Sequence, residues 1–132
     1  MNLLNIGCGG HFHEAWTNID LVSTSPHVRA YDLRKGLPYP DNSFDAVYTS
    51  HVLEHLSPKT AKASLQEQLR VLKPGGIVRT VVPDLEDKAR EYVAMLEKAM
   101  QGDKNAEANY DWMTLELLDQ MVRDNVGGLM GA

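Results

Sequence analysis

Only ten residues separate Gly9 from Asp20, and that interval limits the chain more than any other feature. On one side an apolar stretch, Leu3-Leu4-Asn5-Ile6, runs straight into Gly7-Cys8-Gly9-Gly10. On the other, Trp16-Thr17-Asn18-Ile19 reads as a second strand that closes on Asp20. Neighbouring parallel strands are normally joined by a crossover helix, and none fits here. What remains is a strand, a turn open enough for a ligand to press against backbone, and a carboxylate at the end of the next strand. Together these form the first half of a nucleoside-binding crevice. A Gly-x-Gly turn taken alone also fits a plain strand ending.

The spacing bears on the kind of nucleoside. A dinucleotide fingerprint needs a third glycine three residues past the second, and a helix whose N-terminus faces a pyrophosphate. Phe12 occupies that third position, and there is no helix for a pyrophosphate to sit on. The expected ligand carries a ribose but no phosphate, which S-adenosylmethionine satisfies and NAD does not. A nucleotide-cofactor oxidoreductase is disfavoured on the same ground.

The chain of 132 residues is the length of one domain. Apolar, β-branched-rich runs bounded by Gly, Pro or Asp lie at Leu3 to Ile6, Thr17 to Ile19, Val28 to Tyr31, Ala46 to Thr49 and Ile77 to Val82. They read as strands of a parallel sheet buried on both faces. Between the last two, Ser57-Pro58 offers an N-cap and a first-turn proline, and Ala61, Leu65, Leu69 and Leu72 form a helical stripe before Lys73-Pro74-Gly75-Gly76 ends it. Beyond Pro83, Leu85, Ala89, Tyr92, Val93, Leu96 and Met100 line one face of a helix. A polar linker from Asp103 to Asn109 leads to another helix, with Trp112, Leu115, Leu118, Met121 and Val122 facing inward. The segment from Arg123 to Ala132 reads as a loop cut short.

A net charge of −5 without a Lys/Arg cluster argues against a nucleic-acid backbone as partner and favours a small acceptor. The single cysteine excludes an internal disulfide. No signal-peptide pattern or membrane-length apolar run is present, so the expected compartment is the cytoplasm and no membrane partner is expected.

The segment Tyr31-Asp32-Leu33-Arg34-Lys35-Gly36-Leu37-Pro38-Tyr39-Pro40-Asp41-Asn42-Ser43-Phe44-Asp45 continues into Ser50-His51-Val52-Leu53-Glu54-His55-Leu56. It is followed by Arg70-Val71-Leu72-Lys73-Pro74-Gly75-Gly76. With these ordered motifs the chain resembles class I methyltransferases, and within them the bacterial type 11 branch, over roughly residues 3 to 86. The resemblance implies an α/β, Rossmann-like parallel sheet of order 3-2-1-4-5 with helices on both faces. Residues 1–86 would be the cofactor-binding core and 87–132 a helical C-terminal segment of the same domain. The antiparallel hairpin usual beyond strand five is missing from this pattern, which leaves an apolar edge at Gly76 to Val82. The C-terminal helices, or a second copy of the chain in a homodimer, would cover that edge.

The candidate cofactor contacts are Asn5, Gly7, Cys8, Gly9, Asp20, Leu21, Asp32, Leu33, Ser50 and His51. Gly7 and Gly9 would admit the methionine part of S-adenosylmethionine, with the nitrogens of the turn meeting its carboxylate. Cys8 reads as a small filler. Asp20 would accept from both ribose hydroxyls, or else serve as a turn aspartate. Asp32 and Leu33 match the family's adenine-binding position, the alternative being a turn aspartate paired to Arg34.

His51, Glu54 and His55 share one helical face, and three readings compete for them. The inverted zinc-protease motif lacks its surrounding helix. A divalent-metal site resembles that of some RNA-end and quinone-precursor methyltransferases, but His51 stands where those families carry Glu, and no metal is expected. The preferred reading has Ser50 and His51 contacting cofactor and acceptor, with His51 as general base if the acceptor is a hydroxyl. Glu54 and His55 are then capping or supporting structure. Asp84 is a weaker base candidate, equally a helix N-cap. The function expected is methyl transfer from S-adenosylmethionine to a small-molecule or glycan-type acceptor. The alternative is an inactive remnant that binds S-adenosylmethionine or S-adenosylhomocysteine.

Overall fold

The computed structural model describes residues 1–119, which fall into two compact units divided between Val82 and Pro83. The first unit carries five parallel strands: β1 (Leu3–Ile6), β2 (Thr17–Asp20), β3 (Val28–Ala30), β4 (Phe44–Ser50) and β5 (Leu72–Val81). Their order in the sheet is β3-β2-β1-β4-β5, with the reversal of direction at β1 that open α/β sheets use to build a crevice. The order expected from the sequence is thus the order found. One α-helix, α1 (Pro58–Val71), belongs to this unit, beside short 3₁₀ turns at Leu33–Lys35 and Leu53–His55.

Register assigns the two faces of the sheet. Leu4 pairs with Val47, and Ile6 with Ile19 and Thr49, so these side chains share the face against which Val71 of α1 packs. Leu37, Phe44 and Leu72 complete that core, with Tyr39 set edge-on to Phe44 at 5.0 Å. The opposite face carries a row read directly from the pairing: Val28, Asn18, Asn5, Tyr48, Arg79. Arg79 lies over the Tyr48 ring at 5.6 Å, and Asn5 and Asn18 are buried.

Those two asparagines explain how the chain dispenses with a crossover helix. The Asn18 Nδ2 donates to the carbonyls of His13, Trp16 and His27, at 3.0 to 3.3 Å. The Asn5 Nδ2 donates to the His11 carbonyl and lies 3.4 Å from the Asn18 Oδ1. The carbonyls of an irregular loop have no ladder partners, and here side-chain amides satisfy those of His11, His13 and Trp16.

α1 begins as its sequence indicates, with the Ser57 Oγ accepting from Thr60 N–H and Pro58 in the first turn. Its buried face differs from the expected stripe: Ser64, Gln68 and Val71 are inside, whereas Leu65 is 37 % and Leu69 65 % exposed. A polar clasp sets this rotation. The Glu67 Oε2 accepts from Leu37 N–H at 2.7 Å and from Arg70, while the Arg70 guanidinium donates to the carbonyls of Leu37 and Tyr39 and pairs with Asp41. These contacts join positions about thirty residues apart, beyond the reach of helical periodicity. Lys73-Pro74-Gly75-Gly76 does not separate helix from strand either. β5 starts at Leu72, opposite Phe44, and resumes pairing at Ile77 opposite Ala46, so this stretch is an irregularity within the edge strand, a position where proline is tolerated.

In the second unit, α2 (Leu85–Met100) is capped by Asp84, whose Oδ1 accepts from the N–H groups of Glu86 and Asp87. α3 (Lys104–Asp119) starts directly after Asp103, whose carboxylate accepts from the N–H groups of Asn105 and Ala106. The polar stretch 103–109 is therefore the cap and first turns of a helix rather than a linker, its polar residues forming the solvent side. Ala106 and Met113 are buried, the Tyr92 and Tyr110 hydroxyls meet at 3.0 Å, and Trp112 is 52 % exposed rather than inward. Met121, Val122 and the stretch 123–132 lie outside the described residues.

Glu67 gives the clasp a pH signature. Hydrogen bonds from Arg70, then from the Leu37 amide, lower its pKa to about 2. A depressed carboxylate pKa adds stability that is complete above the ordinary carboxylate range and disappears as pH falls towards 2. In urea unfolding between pH 6 and pH 2.5, the native chain should lose stability below about pH 4.5. Glu67→Gln should be less stable at neutral pH by about 1.5–3 kcal/mol, with a flatter acid limb. Parallel acid limbs in the two proteins would assign the pH dependence elsewhere.

Candidate functional site

The carboxyl ends of β1, β2 and β4 meet at the reversal point of the sheet, and each contributes one part of the site. β1 delivers the turn Gly7 to Gly10. Gly7 adopts φ +66 and Gly9 φ +53, the left-handed region that side chains rarely enter. The two glycines serve different ends. A Cβ on Gly7 would overlap the Val52 Cγ2, so this glycine permits close packing beneath the turn. A Cβ on Gly9 or Gly10 would meet nothing within 4 Å, so their bare backbone faces open space.

The amides of the turn are engaged internally. Gly7 N–H donates to the Ile19 carbonyl at 2.8 Å, Cys8 N–H to the same carbonyl at 3.4 Å, and Gly9 N–H to the Asp20 Oδ2 at 2.7 Å. These three nitrogens are therefore not what the turn presents to a ligand carboxylate. It offers instead the exposed Cα surface of Gly9 and Gly10. Cys8 is buried, and burial, followed by the charge of Asp20, raises its thiol pKa, which keeps it protonated and suits a filler.

Asp20 closes β2, with Oδ2 on Gly9 and Oδ1 3.4 Å from Val22 N–H. It thus ties the turn to the second strand while its carboxylate keeps free lone pairs, since an ionised carboxylate has about four acceptor sites. Leu21 beside it is 42 % exposed. Asp32, after β3, caps the 3₁₀ turn Leu33–Lys35 and forms a paired contact with the Arg34 side chain at 2.8 and 3.0 Å, which lowers its pKa. Leu33 packs on the edge of the hydrophobic core, and the Asn5 side chain secures the loop after β1.

β4 delivers Ser50 and His51. His51 has φ +55, strained backbone for a residue with a Cβ, at a cost on the order of 1–3 kcal/mol. Its N–H donates to the Val81 carbonyl at 3.0 Å, so the end of β5 fixes it there. The His51 Nδ1 lies 3.3 Å from the Glu54 Oε1, and the His55 Nε2 3.9 Å from the same oxygen. Glu54 is not a helix cap. The turn Leu53–His55 has Val52 at its N-cap position without a side-chain bond, and α1 is capped by Ser57. Asp84 sits at the N-terminus of α2 as its cap. Among the described residues, no group of three or more His, Cys, Asp or Glu side chains has the geometry of a metal site. Asn18 and Glu54 matter more than their sequence context conveys. Asn18 sits in a strand pattern like any polar residue, and no local signal marks Glu54 as buried.

A left-handed glycine turn, a carboxylate at the end of the neighbouring strand and a polar turn after β4 meet at the reversal point of the parallel sheet of an α/β protein of Rossmann-like type. Residues 4–80 match the family model described as a methyltransferase domain, more than half of the chain. The chain belongs to this methyltransferase family.

Among relatives, the "Probable methyltransferase ltbC" of Aspergillus luteorubrus is 38% identical over 85 residues, 58% of this chain and 30% of that protein. The ubiquinone/menaquinone biosynthesis C-methyltransferase UbiE of Cronobacter sakazakii is 38% identical over 63 residues, 48% of this chain and 24% of that protein. The chain thus spans less than a third of the length of these relatives. The crystal structure of the [4+2]-cyclase SpnF aligns with a TM-score of 0.49 at 29% identity, covering 60% of this chain and 37% of that one.

Gly7 provides a direct test of the turn. Gly7→Ala adds a methyl group against Val52 at a left-handed φ, and should lower stability by about 1–3 kcal/mol. Gly10→Ala, whose Cβ meets open space, should leave stability nearly unchanged. Equal thermal midpoints for the two variants would remove the packing role assigned to Gly7.

Proposed function

We propose that the chain binds S-adenosylmethionine across the ends of β1, β2 and β4 and transfers its methyl group to a small-molecule or glycan-type acceptor in the cytosol. The supporting observation is the turn at Gly9 and Gly10. Its backbone is bare towards open space, and the Asp20 carboxylate, at 2.7 Å from Gly9 N–H, borders it with acceptor capacity left for a ribose. Among the described residues, no helix is long and apolar enough to cross a membrane.

In this reading the glycine surface receives the methionine part of the cofactor, Asp20 the ribose hydroxyls, and Leu21, Asp32 and Leu33 the adenine end. When bound, S-adenosylmethionine supplies a methyl group on a sulfonium, already an excellent leaving group. The protein's task is then mainly orientation, worth up to about 7–11 kcal/mol in well-aligned systems. Ser50 and His51 border the acceptor side, and His51 takes the proton of a hydroxyl acceptor.

Calorimetry with S-adenosylhomocysteine, run beside NADH, tests the ligand class. S-adenosylhomocysteine should bind and NADH should not. Asp20→Ala should weaken binding by about 1.5–3 kcal/mol, the scale for a hydrogen bond to a charged group. Tighter binding of NADH, or unchanged affinity in the variant, would overturn the assignment. Binding without transfer to any acceptor in a broad panel would make the chain a cofactor-binding protein instead.

A second copy of the chain is proposed as the cover of the β5 edge. β5 is the last strand of the sheet, and Ile77 on it is 67 % exposed. A long apolar edge of this kind is a template for further pairing. Light scattering over a range of concentrations should show a dimer that Ile77→Lys weakens, and a monomer at every concentration would refute it.

A further inference from the structure

Glu54 has a buried carboxyl group that, among the described residues, the fold leaves without a hydrogen-bond donor. Both carboxylate oxygens are buried, and among the described residues neither accepts a hydrogen bond. Glu67 shows the ordinary solution, with donors from a backbone amide and a guanidinium on its oxygens. A carboxylate left without donors in a buried position is costly and is found where something else requires it.

Two imidazoles lie close to Glu54. The His51 Nδ1 is the nearer, at 3.3 Å, and the His55 Nε2 lies at 3.9 Å. A second, independent observation points to the nearer ring. The His51 backbone is held in the left-handed region by its bond to Val81, at the very residue whose ring reaches this carboxylate. Strain of this type persists only where neighbouring structure imposes it, and it concentrates at functional positions. The 3.3 Å separation of the His51 Nδ1 and the Glu54 Oε1 is within the reach of a hydrogen bond between them.

We propose that Glu54 is a positioning residue for His51. It accepts a hydrogen bond from the Nδ1–H of the neutral imidazole, which keeps the proton on Nδ1 and leaves the lone pair on Nε2, the ring nitrogen on the far side from the carboxylate. The proposal rests on the reading of His51 as the base and deepens it. In the transfer step an oxygen lone pair of the acceptor hydroxyl forms the new bond to the methyl carbon. With S-adenosylmethionine bound, the carbon–sulfur pair would stay with the departing neutral thioether. The hydroxyl proton goes to Nε2, so the positive charge that leaves sulfur ends on the imidazolium, opposite the Glu54 carboxylate.

The tautomer can be read without cofactor or acceptor, by ¹⁵N NMR of the full chain labelled on its histidine ring nitrogens, at a pH where the imidazoles are neutral. His51 should show Nδ1 protonated and Nε2 bare. Glu54→Gln, whose amide oxygen can still accept, should keep that pattern. Glu54→Leu should lose the Nδ1–H signal in favour of the Nε2–H form that free imidazole prefers. A native His51 already protonated at Nε2, or a Glu54→Leu protein with the native tautomer, would overturn the proposal. If the leucine variant does not fold, the native spectrum alone decides. Because no ligand enters this measurement, its failure is distinct from failure of S-adenosylhomocysteine to bind.

Discussion

The two buried asparagines of the central strands are what allow this sheet to exist with so little chain. Parallel strands need a return path, and helices ordinarily provide it by satisfying their own backbone. Here the path after β1 is a loop, and its carbonyls at His11, His13 and Trp16 are met by the Asn5 and Asn18 amides from within the sheet. Once that loop is secured, β1 and β2 lie side by side with Gly7 bonded to Ile19, and the glycine turn and Asp20 become neighbours. The glycine turn of the candidate site thus depends on side chains of the sheet. Side chains placed for packing on one side hold the loop whose other end forms the site.

The site is preorganised in the plain sense that its parts are tied before any ligand arrives. Asp20 restrains the turn through Gly9, Thr24 reaches the Gly9 carbonyl at 3.1 Å, and Val52 fills the space beneath Gly7. Less ordering is then left for a ligand to impose, and ordering is one of the main costs of association. The same economy limits the chemistry. With the amides of Gly7, Cys8 and Gly9 occupied, recognition of an anionic group has fewer donors available than the bare turn sequence indicates.

Much of this was legible in the residues. The strands announced themselves as β-branched runs between Gly, Pro and Asp, and Gly7, Gly9, Asp20 and Ser50 fall at strand ends as their spacing required. The misreadings have a common cause, which is dependence on contacts distant in sequence. Leu65 and Leu69 have the periodicity of a buried stripe, yet the Arg70–Glu67 clasp on residues 37–41 turns another face inward. Pro74-Gly75-Gly76 has the composition of a terminator, yet β4 supplies a partner on both sides of it. The burial of the Glu54 carboxyl oxygens is likewise encoded by no local pattern.

The bond from His51 N–H to the Val81 carbonyl has a dynamic consequence. Strands at the margin of a sheet open more readily than those inside it, through local fluctuations that cost far less than global unfolding. The His51 backbone is fastened to such a strand, so its left-handed posture lasts only as long as the end of β5 stays paired. Fraying of the sheet margin would break the bond that fixes the His51 backbone, which ties the placement of this residue to the opening free energy of a few edge amides.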